Sequence, residues 1–373
     1  MGNFWTMLKS LSIERFRCFE NTSVNGFGLV NLISGKNNAG KTALLEAILL
    51  ANKPSNSSII DLYRVIRRED LNFLKELPSR AWDNFFFKQE KKDEIVLTSQ
   101  TYSGSNQQVR LFADESVDEF LKFLDKEEDN DKDAMELQNV LSNRDLVKSA
   151  LHIVASSDNK EIMSSILIAS KNGITGRGLP SSPFKETFLI PAYIKLSNEG
   201  LATEFDKAKF EGHSAELLEA FKLIDSDIES VDTYKIGDAA LYLKRKGERQ
   251  MPISMFGDAI NKVADFVLRI VNNKESVILI DEIENGIHYT NQEYLWTMLF
   301  KLAKRFNVQI FSTTHSREMT DSFVRAAQKI KDENASGFFE LSRHFKTNRI
   351  IANRISIETL DYKIENNKPF RGE

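Results

Sequence analysis

Cysteine is almost absent from this sequence: Cys18 is the one thiol in 373 residues. An intrachain disulfide and a cysteine-built zinc site are therefore both excluded, and with them the stapled secreted scaffolds and the zinc fingers. An excess of one charge is also missing. The 50 Lys+Arg against 54 Asp+Glu leave a formal net charge of −4. A histone-like polycation is ruled out, and any contact with nucleic acid has to come from a local patch. Apolar runs stay far short of the roughly 20 residues that a membrane-crossing helix needs. Met1 to Met7 lacks the charged start and apolar stretch of a secretion signal. These absences together predict a chain of the reducing cytoplasm with no membrane partner. Internal repeats are lacking as well.

What is present is an ordinary globular balance. Apolar residues make up 41% and charged residues 28%, which excludes wholesale disorder and fibrous architecture. The length suits two or three structural units with a sizeable buried core. The 26 phenylalanines read as core packing.

Along the chain, Leu8, Leu11, Ile13 and Phe16 suit an early strand. The run from Gly28 to Ser34 suits a second strand, ending at Gly35. Ala43 to Leu50 is a strong helix former. Residues 94–113 read as two strands joined by Ser103-Gly104-Ser105-Asn106. From 114 to about 170 the pattern reads as helical, with Val117, Phe120, Leu121 and Leu124 on one face and Leu137, Val140 and Leu141 on another. The acidic run Asp125 to Asp133 lies between them. It lacks the glycine at position six and the glutamate at position twelve of a calcium loop, and reads as a solvated linker. Residues 172–183 form a Gly/Pro/Ser break, after which Thr187 to Ile194 reads as a strand returning to the main sheet. Helices are expected at 215–224, 263–271, 291–305 and 321–329. Strands are expected at 240–245, 276–280 and 308–313, the last two being the continuous apolar runs of a buried parallel sheet.

The chemistry concentrates at three places. Gly35-Lys36-Asn37-Asn38-Ala39-Gly40-Lys41-Thr42 fits the phosphate loop G-x-x-x-x-G-K-[ST] at every constrained position. Gly35 and Gly40 let the backbone curl so that successive N–H groups converge on one point. The helix that follows adds the positive end of its dipole. Lys41 supplies a full charge for the terminal phosphates of ATP, and Thr42 a hydroxyl for Mg²⁺. A strand before and a helix after place the motif in the context it requires.

The second place is the end of the apolar strand 276–280, where Asp281 and Glu282 follow. At the carboxyl end of a parallel strand such acids face the ligand crevice. Asp281 is expected to orient the metal and Glu282 to polarise an attacking water. The third is Thr313-Thr314-His315-Ser316, at the end of the next buried strand. His315 there is placed to sense the terminal phosphate.

Together with Phe16 to Glu20 and Asp281 to His288, these segments resemble the heads of ABC-type ATPases over nearly the whole chain. Within that superfamily, shared with RecF and SMC proteins, they look most like stand-alone AAA-type ATPases related to OLD nucleases and to antiphage systems. The resemblance implies an α/β P-loop head: a mixed or parallel core sheet flanked by helices, with a helical insertion. The implied division is an N-terminal lobe at 1–113, an insertion at 114–183 and a C-terminal lobe at 184–373. It also implies a signature segment at Pro252 to Asp258, with Ser254, Gly257 and Asp258 closing over the partner's ATP, although the usual L-S-G-G-Q is not matched. A plain helix start is the alternative for that stretch. Asn285, Gly286 and His288 fall in the dimer-crossing loop, with Glu284 beside them. The glutamine loop has no assignable residue. Arg15 and Arg17 are open between nucleotide contact and surface ion pairs.

The implied activity is Mg²⁺-dependent ATP hydrolysis in a homodimer, or a higher even-numbered oligomer, that sandwiches ATP. Glu282, His315 and Lys41 would be its catalytic residues, with Thr42 and Asp281 on the metal. Only 58 residues follow His315 (373 − 315), too few for the nuclease domain of the related enzymes. A nuclease or toxin effector is therefore expected on another polypeptide. A DNA-binding repair clamp and an ATP-dependent assembly scaffold are the competing readings.

Overall fold

The computed structural model describes residues 7–63, 75–114, 148–177, 185–193, 196–330, 332 and 334–370. In chain order the strands are β1 (Leu8–Phe16), β2 (Phe19–Asn25), β3 (Val30–Gly35), β4 (Ile95–Thr101), β5 (Asn106–Asp114), β6 (Lys148–Ser157), β7 (Lys160–Ser170) and β8 (Gly173–Arg177). They continue with β9 (Thr187–Ile190), β10 (Ile228–Ile236), β11 (Asp238–Arg245), β12 (Met251–Pro252), β13 (Val277–Ile280), β14 (Gln309–Thr314), β15 (Ser336–Arg343) and β16 (Ile350–Ile355). The helices are α1 (Lys41–Asn52), α2 (Asn56–Asp61), α3 (Asn198–Phe210), α4 (Ser214–Ile224), α5 (Asp258–Asn272), α6 (Tyr289–Phe306), α7 (Arg317–Gln328) and α8 (Ile357–Glu365).

Strands β15, β3, β14, β13 and β9 lie parallel in that order, with β16 antiparallel at the β15 edge. Successive side chains of a strand point to opposite faces. Here both faces are covered, so the strands are apolar throughout rather than alternating. Leu32, Ile278 and Ile310 enter a core with α5, α6 and α7, whereas Ile33, Leu279 and Phe311 enter a second core with α1. This is the α/β architecture that the residue pattern implied.

The second core is closed by a seven-stranded antiparallel sheet, ordered β2-β1-β4-β5-β6-β7-β8. Helix α1 runs between the two sheets, and every residue from Ala43 to Asn52 is buried. A helix apolar on all sides, as Ala43-Leu44-Leu45 and Ala47 to Ala51 make this one, is stable only when enclosed in this way.

Strands β6, β7 and β8 correct the helical reading of residues 148–177. Leu151, Ile153 and Ala155 are buried and His152, Val154 and Ser156 less so, a period of two against the α1 side. The β-branched content favours this state, and β6 pairs with β5 through Leu111↔Ile153 and Phe112↔His152. The Gly/Pro/Ser break also begins with strand β8, paired to β7. The expected apolar faces at 117–124 and 137–141 and the acidic run at 125–133 lie outside the described residues. Strand β9 ends at Ile190 rather than at 194, because Pro191 cannot donate to the ladder. The third sheet, β10-β11-β12, packs against α3 and α4, which in turn pack against α5. Among the described residues no helix is long and apolar enough to cross a membrane.

A buried glutamine helps clip the two large sheets together. Gln309, fully buried at the start of β14, accepts the Leu8 N–H at 2.9 Å and donates to the carbonyls of Leu8 at 2.8 Å and Gly28 at 2.9 Å. Replacing Gln309 with Ala strands those groups away from water, at a cost of about 2–4 kcal/mol. Urea unfolding of Gln309→Ala should show that loss. A midpoint within about 0.5 kcal/mol of wild type would mean the clip contributes little.

Candidate functional site

The site forms where β3, β14 and β13 end on the same edge. Registers Thr314↔Ser34 and Ile280↔Ser312 bring the loop after β3, the end of β14 and the turn after β13 side by side. The loop from Gly35 to Thr42 then passes directly into α1. A Cβ on Gly35 would stand 2.6 Å from the Leu341 carbonyl oxygen of neighbouring β15, so only glycine fits. Gly40 caps α1 in the left-handed region at φ 92, and Asn38 joins it there at φ 65. No side chain caps α1 and no acid occupies its first turn, so its first N–H groups remain available to an anion.

Lys41 folds back across the loop, donating to the carbonyls of Gly35 at 2.8 Å and Lys36 at 3.1 Å. Burial pushes its ammonium below the usual lysine range, against the pull of Asp281, Glu284 and Glu282. Ala39 packs beneath the loop, its N–H bonded to Lys36 O at 3.2 Å.

Asp281 receives hydroxyls from two sides: Thr42 Oγ1 at 3.0–3.2 Å and Thr313 Oγ1 at 2.6 Å. Burial pushes its carboxyl up, and the Thr313 and Thr42 bonds pull it back. Glu282 adopts φ 49, uncommon for a non-glycine. It is held there by its own N–H to Thr313 Oγ1 at 2.8 Å and by Asn285 Nδ2 to its Oε2 at 2.7 Å. Asn37, Asn38, Gly40, Lys41, Thr42, Asp281 and Glu282 line one cavity of about 450 Å³, with Arg17 and Cys18 on a further side.

His315 stands just past β14, outside the residues that line this cavity. Its ring is half exposed, and its Nδ1 lies 2.9 Å from Glu284. Ser254, Gly257 and Asp258 are not brought to the cavity of their own chain either. They are exposed around the start of α5, where Asp258 neighbours Gly286 of the turn after β13. Arg15 pairs with Asp93 and Glu90 at the surface. Arg17 borders the cavity but spends its guanidinium on buried Glu46 at 2.9 Å, on Asn84 O at 2.7 Å and on the Phe85 ring. The strand beside β13 is β9, and it leaves into Pro191-Ala192-Tyr193, where no glutamine stands.

Thr313 and Asn285 carry more of the geometry than their sequence signal suggested. A threonine at the end of an apolar strand is common, and only pairing across β13 and β14 shows what its hydroxyl binds. As a metal site, the donor set is one carboxylate and one hydroxyl. Among the described residues no group of three or more His, Cys, Asp or Glu is placed to hold an ion. Hard oxygen donors in this small number suit Mg²⁺, which keeps waters and takes phosphate oxygens for the rest of its shell.

The chain matches, over residues 30–320, the family described as "AAA domain, putative AbiEii toxin, Type IV TA system". It is 25% identical to the ATP/GTP phosphatase of Helicobacter pylori, across 98% of this chain and 100% of that protein. An uncharacterized protein of Methanocaldococcus jannaschii, MJECL10, is 29% identical across 24% of this chain and 40% of its own length. Among solved structures, an SMC head bound to the C-terminal winged-helix domain of ScpA aligns at 14% identity and TM-score 0.49, covering 94% of this chain and 98% of that one. The SMC head of Thermotoga maritima aligns at 11% and 0.40, covering 94% and 99%.

Thr313→Val keeps the shape of the side chain but leaves the Glu282 N–H without its partner and removes the shorter of the hydroxyl bonds to Asp281. A stability loss of about 1–3 kcal/mol is expected by denaturant titration. An unchanged midpoint would show that this hydroxyl does not hold the turn.

Proposed function

Since the chain belongs to the AAA-domain family matched over residues 30–320, we propose that it binds and hydrolyses ATP and uses the cycle as a dimerising switch. One observation carries the reading: the phosphate loop, Thr42, Asp281 and Glu282 line a single cavity although Lys41 and Asp281 are 240 positions apart (281 − 41). The name of the full-length relative, an ATP/GTP phosphatase, supports the same chemistry.

In this reading the N–H groups of Gly35 to Thr42 and the start of α1 grip the phosphates, with Lys36, Asn37, Asn38 and Ala39 supplying loop backbone. Lys41 exchanges its two carbonyl partners for phosphate oxygens. Thr42 and Asp281 would hold Mg²⁺, which when bound neutralises charge on the terminal phosphates. Glu282, held on the cavity wall, aligns the water, and His315 steadies the oxygens of the transferring phosphoryl group. Catalysis is then positioning plus charge stabilisation.

Ser254, Gly257 and Asp258 are exposed and away from their own cavity, so their role falls to the ATP of a second copy. ATP thereby becomes a ligand of the interface, and its preference for the closed pair drives closure. Further out, we read the chain as the regulatory subunit of a prokaryotic defence module that holds or releases a separate effector. The family description, with its words "putative AbiEii toxin, Type IV TA system", supports the setting of that role and not the role itself.

Lys41→Ala should weaken ATP binding by roughly 10- to 100-fold, the worth of a lost charged hydrogen bond; unchanged binding in a filter assay refutes the site. Glu282→Gln should retain ATP but lose roughly 100- to 10,000-fold in turnover. It should also run as a dimer on sizing chromatography with ATP, and a monomer there argues against the sandwich. Chelating Mg²⁺ should stop turnover in the wild type. Steeply salt-dependent DNA binding would instead favour a clamp on DNA.

A further inference from the structure

Glu282 and Glu284 sit two residues apart on one turn and face different partners. Glu282 lines the cavity. Glu284 turns toward the end of β14, with only 9% of its side chain exposed. Its Oε1 accepts the backbone N–H of His315 at 2.8 Å and stands 2.9 Å from Nδ1 of the same residue. Its Oε2 is buried and has no hydrogen-bond partner among the described residues. A carboxylate only accepts, so a bond at Nδ1 requires the proton on that nitrogen. Nε2 is then the atom that the ring presents outward, and it donates to a phosphoryl oxygen only when it too carries a proton.

Resting on the reading of His315 as the residue that steadies the transferring phosphoryl group, the geometry points to Glu284 as the positioning residue for His315. It fixes the ring's orientation and holds a proton on Nδ1, while a proton on Nε2 supplies the bond to the phosphoryl oxygens. Glu284 acts through the histidine and has no contact with substrate. The pair joins the turn after β13 to the turn after β14, so the water-aligning and phosphoryl-holding groups are set by one short segment. A burial cost comes with this arrangement, since a carboxylate kept from water needs each partner it can find. A role in capping the loop alone would use only the backbone N–H and would be indifferent to the ring.

The test compares Glu284→Ala, His315→Ala and the double variant in the full chain, with thermal melts to confirm folding. Glu284→Ala should lower kcat by roughly 10- to 100-fold, the range lost when a group orienting a functional histidine is removed, while the affinity for a non-hydrolysable ATP analogue stays within about twofold. The double variant should be no slower than His315→Ala, because both changes remove one unit. Glu284→Gln, which keeps an acceptor oxygen, should recover part of the rate. Multiplying effects, or an affinity loss as large as that of Lys41→Ala, would overturn the assignment. Independently of activity, ¹⁵N spectra should show His315 protonated on Nδ1 in the wild type and a mixture of tautomers in Glu284→Ala. A wild type protonated on Nε2 alone, or an unchanged ring in the variant, also overturns it. If the wild type binds ATP without hydrolysing it, the hydrolytic reading fails, and the spectra still decide the Glu284 assignment.

Discussion

Asp281 accepts hydroxyls from Thr42, at the first turn of α1, and from Thr313, at the end of β14. Those two residues are 271 positions apart (313 − 42), and the buried carboxylate is where they meet. Its placement requires β13 and β14 to run parallel in one register, since a slip of one residue would turn Asp281 to the other face. It equally requires β3 to lie beside β14, since that pairing delivers the phosphate loop. The sheet order is therefore more than packing: it determines whether the loop and the acids share a cavity.

Helix α1 shows how stability and chemistry are joined. Its apolar body is enclosed by two sheets, while its first turn faces the cavity uncapped. Deep enclosure fixes the helix in place, and the uncapped N–H groups make that end receptive to an anion. The acids around it work against stability. Burial raises the carboxyl of Asp281, and the like charges of Glu282 and Glu46 add to it, while Asp281, Glu284 and Glu282 all act on Lys41, the cation among them. Sites that break local rules in this manner are where function tends to reside.

Local signals carried much of this architecture. The spacing of Gly35, Gly40, Lys41 and Thr42 announced the loop, and the apolar runs before Asp281 and Thr313 announced β13 and β14. The geometry adds what no window of residues contains. Strands β6 and β7 read as helix from the sequence because the apolar positions of 148–170 satisfy more than one period over short stretches, and only pairing to β5 settles the choice. Gln309 and Asn31 look like stray polar residues in apolar strands, yet each closes three buried hydrogen bonds. Glu284 looked like one acid among several, and its partner His315 is 31 positions away.

The turn after β13 holds Glu282 at φ 49, a conformation that costs on the order of 1–3 kcal/mol for a non-glycine. Three bonds sustain it: its N–H to Thr313, its carboxylate to Asn285 Nδ2, and its carbonyl to the Asn285 N–H. The first of these starts from β14, the strand that also leads into His315. Any shift at the end of β14 therefore reaches Glu282 through Thr313 and His315 through the chain itself. The strain is tolerable only while that strand end is in place. In the proposed function, alignment of the water and steadying of the phosphoryl group are thus two consequences of one local geometry, and a ligand that moves β14 would act on both together.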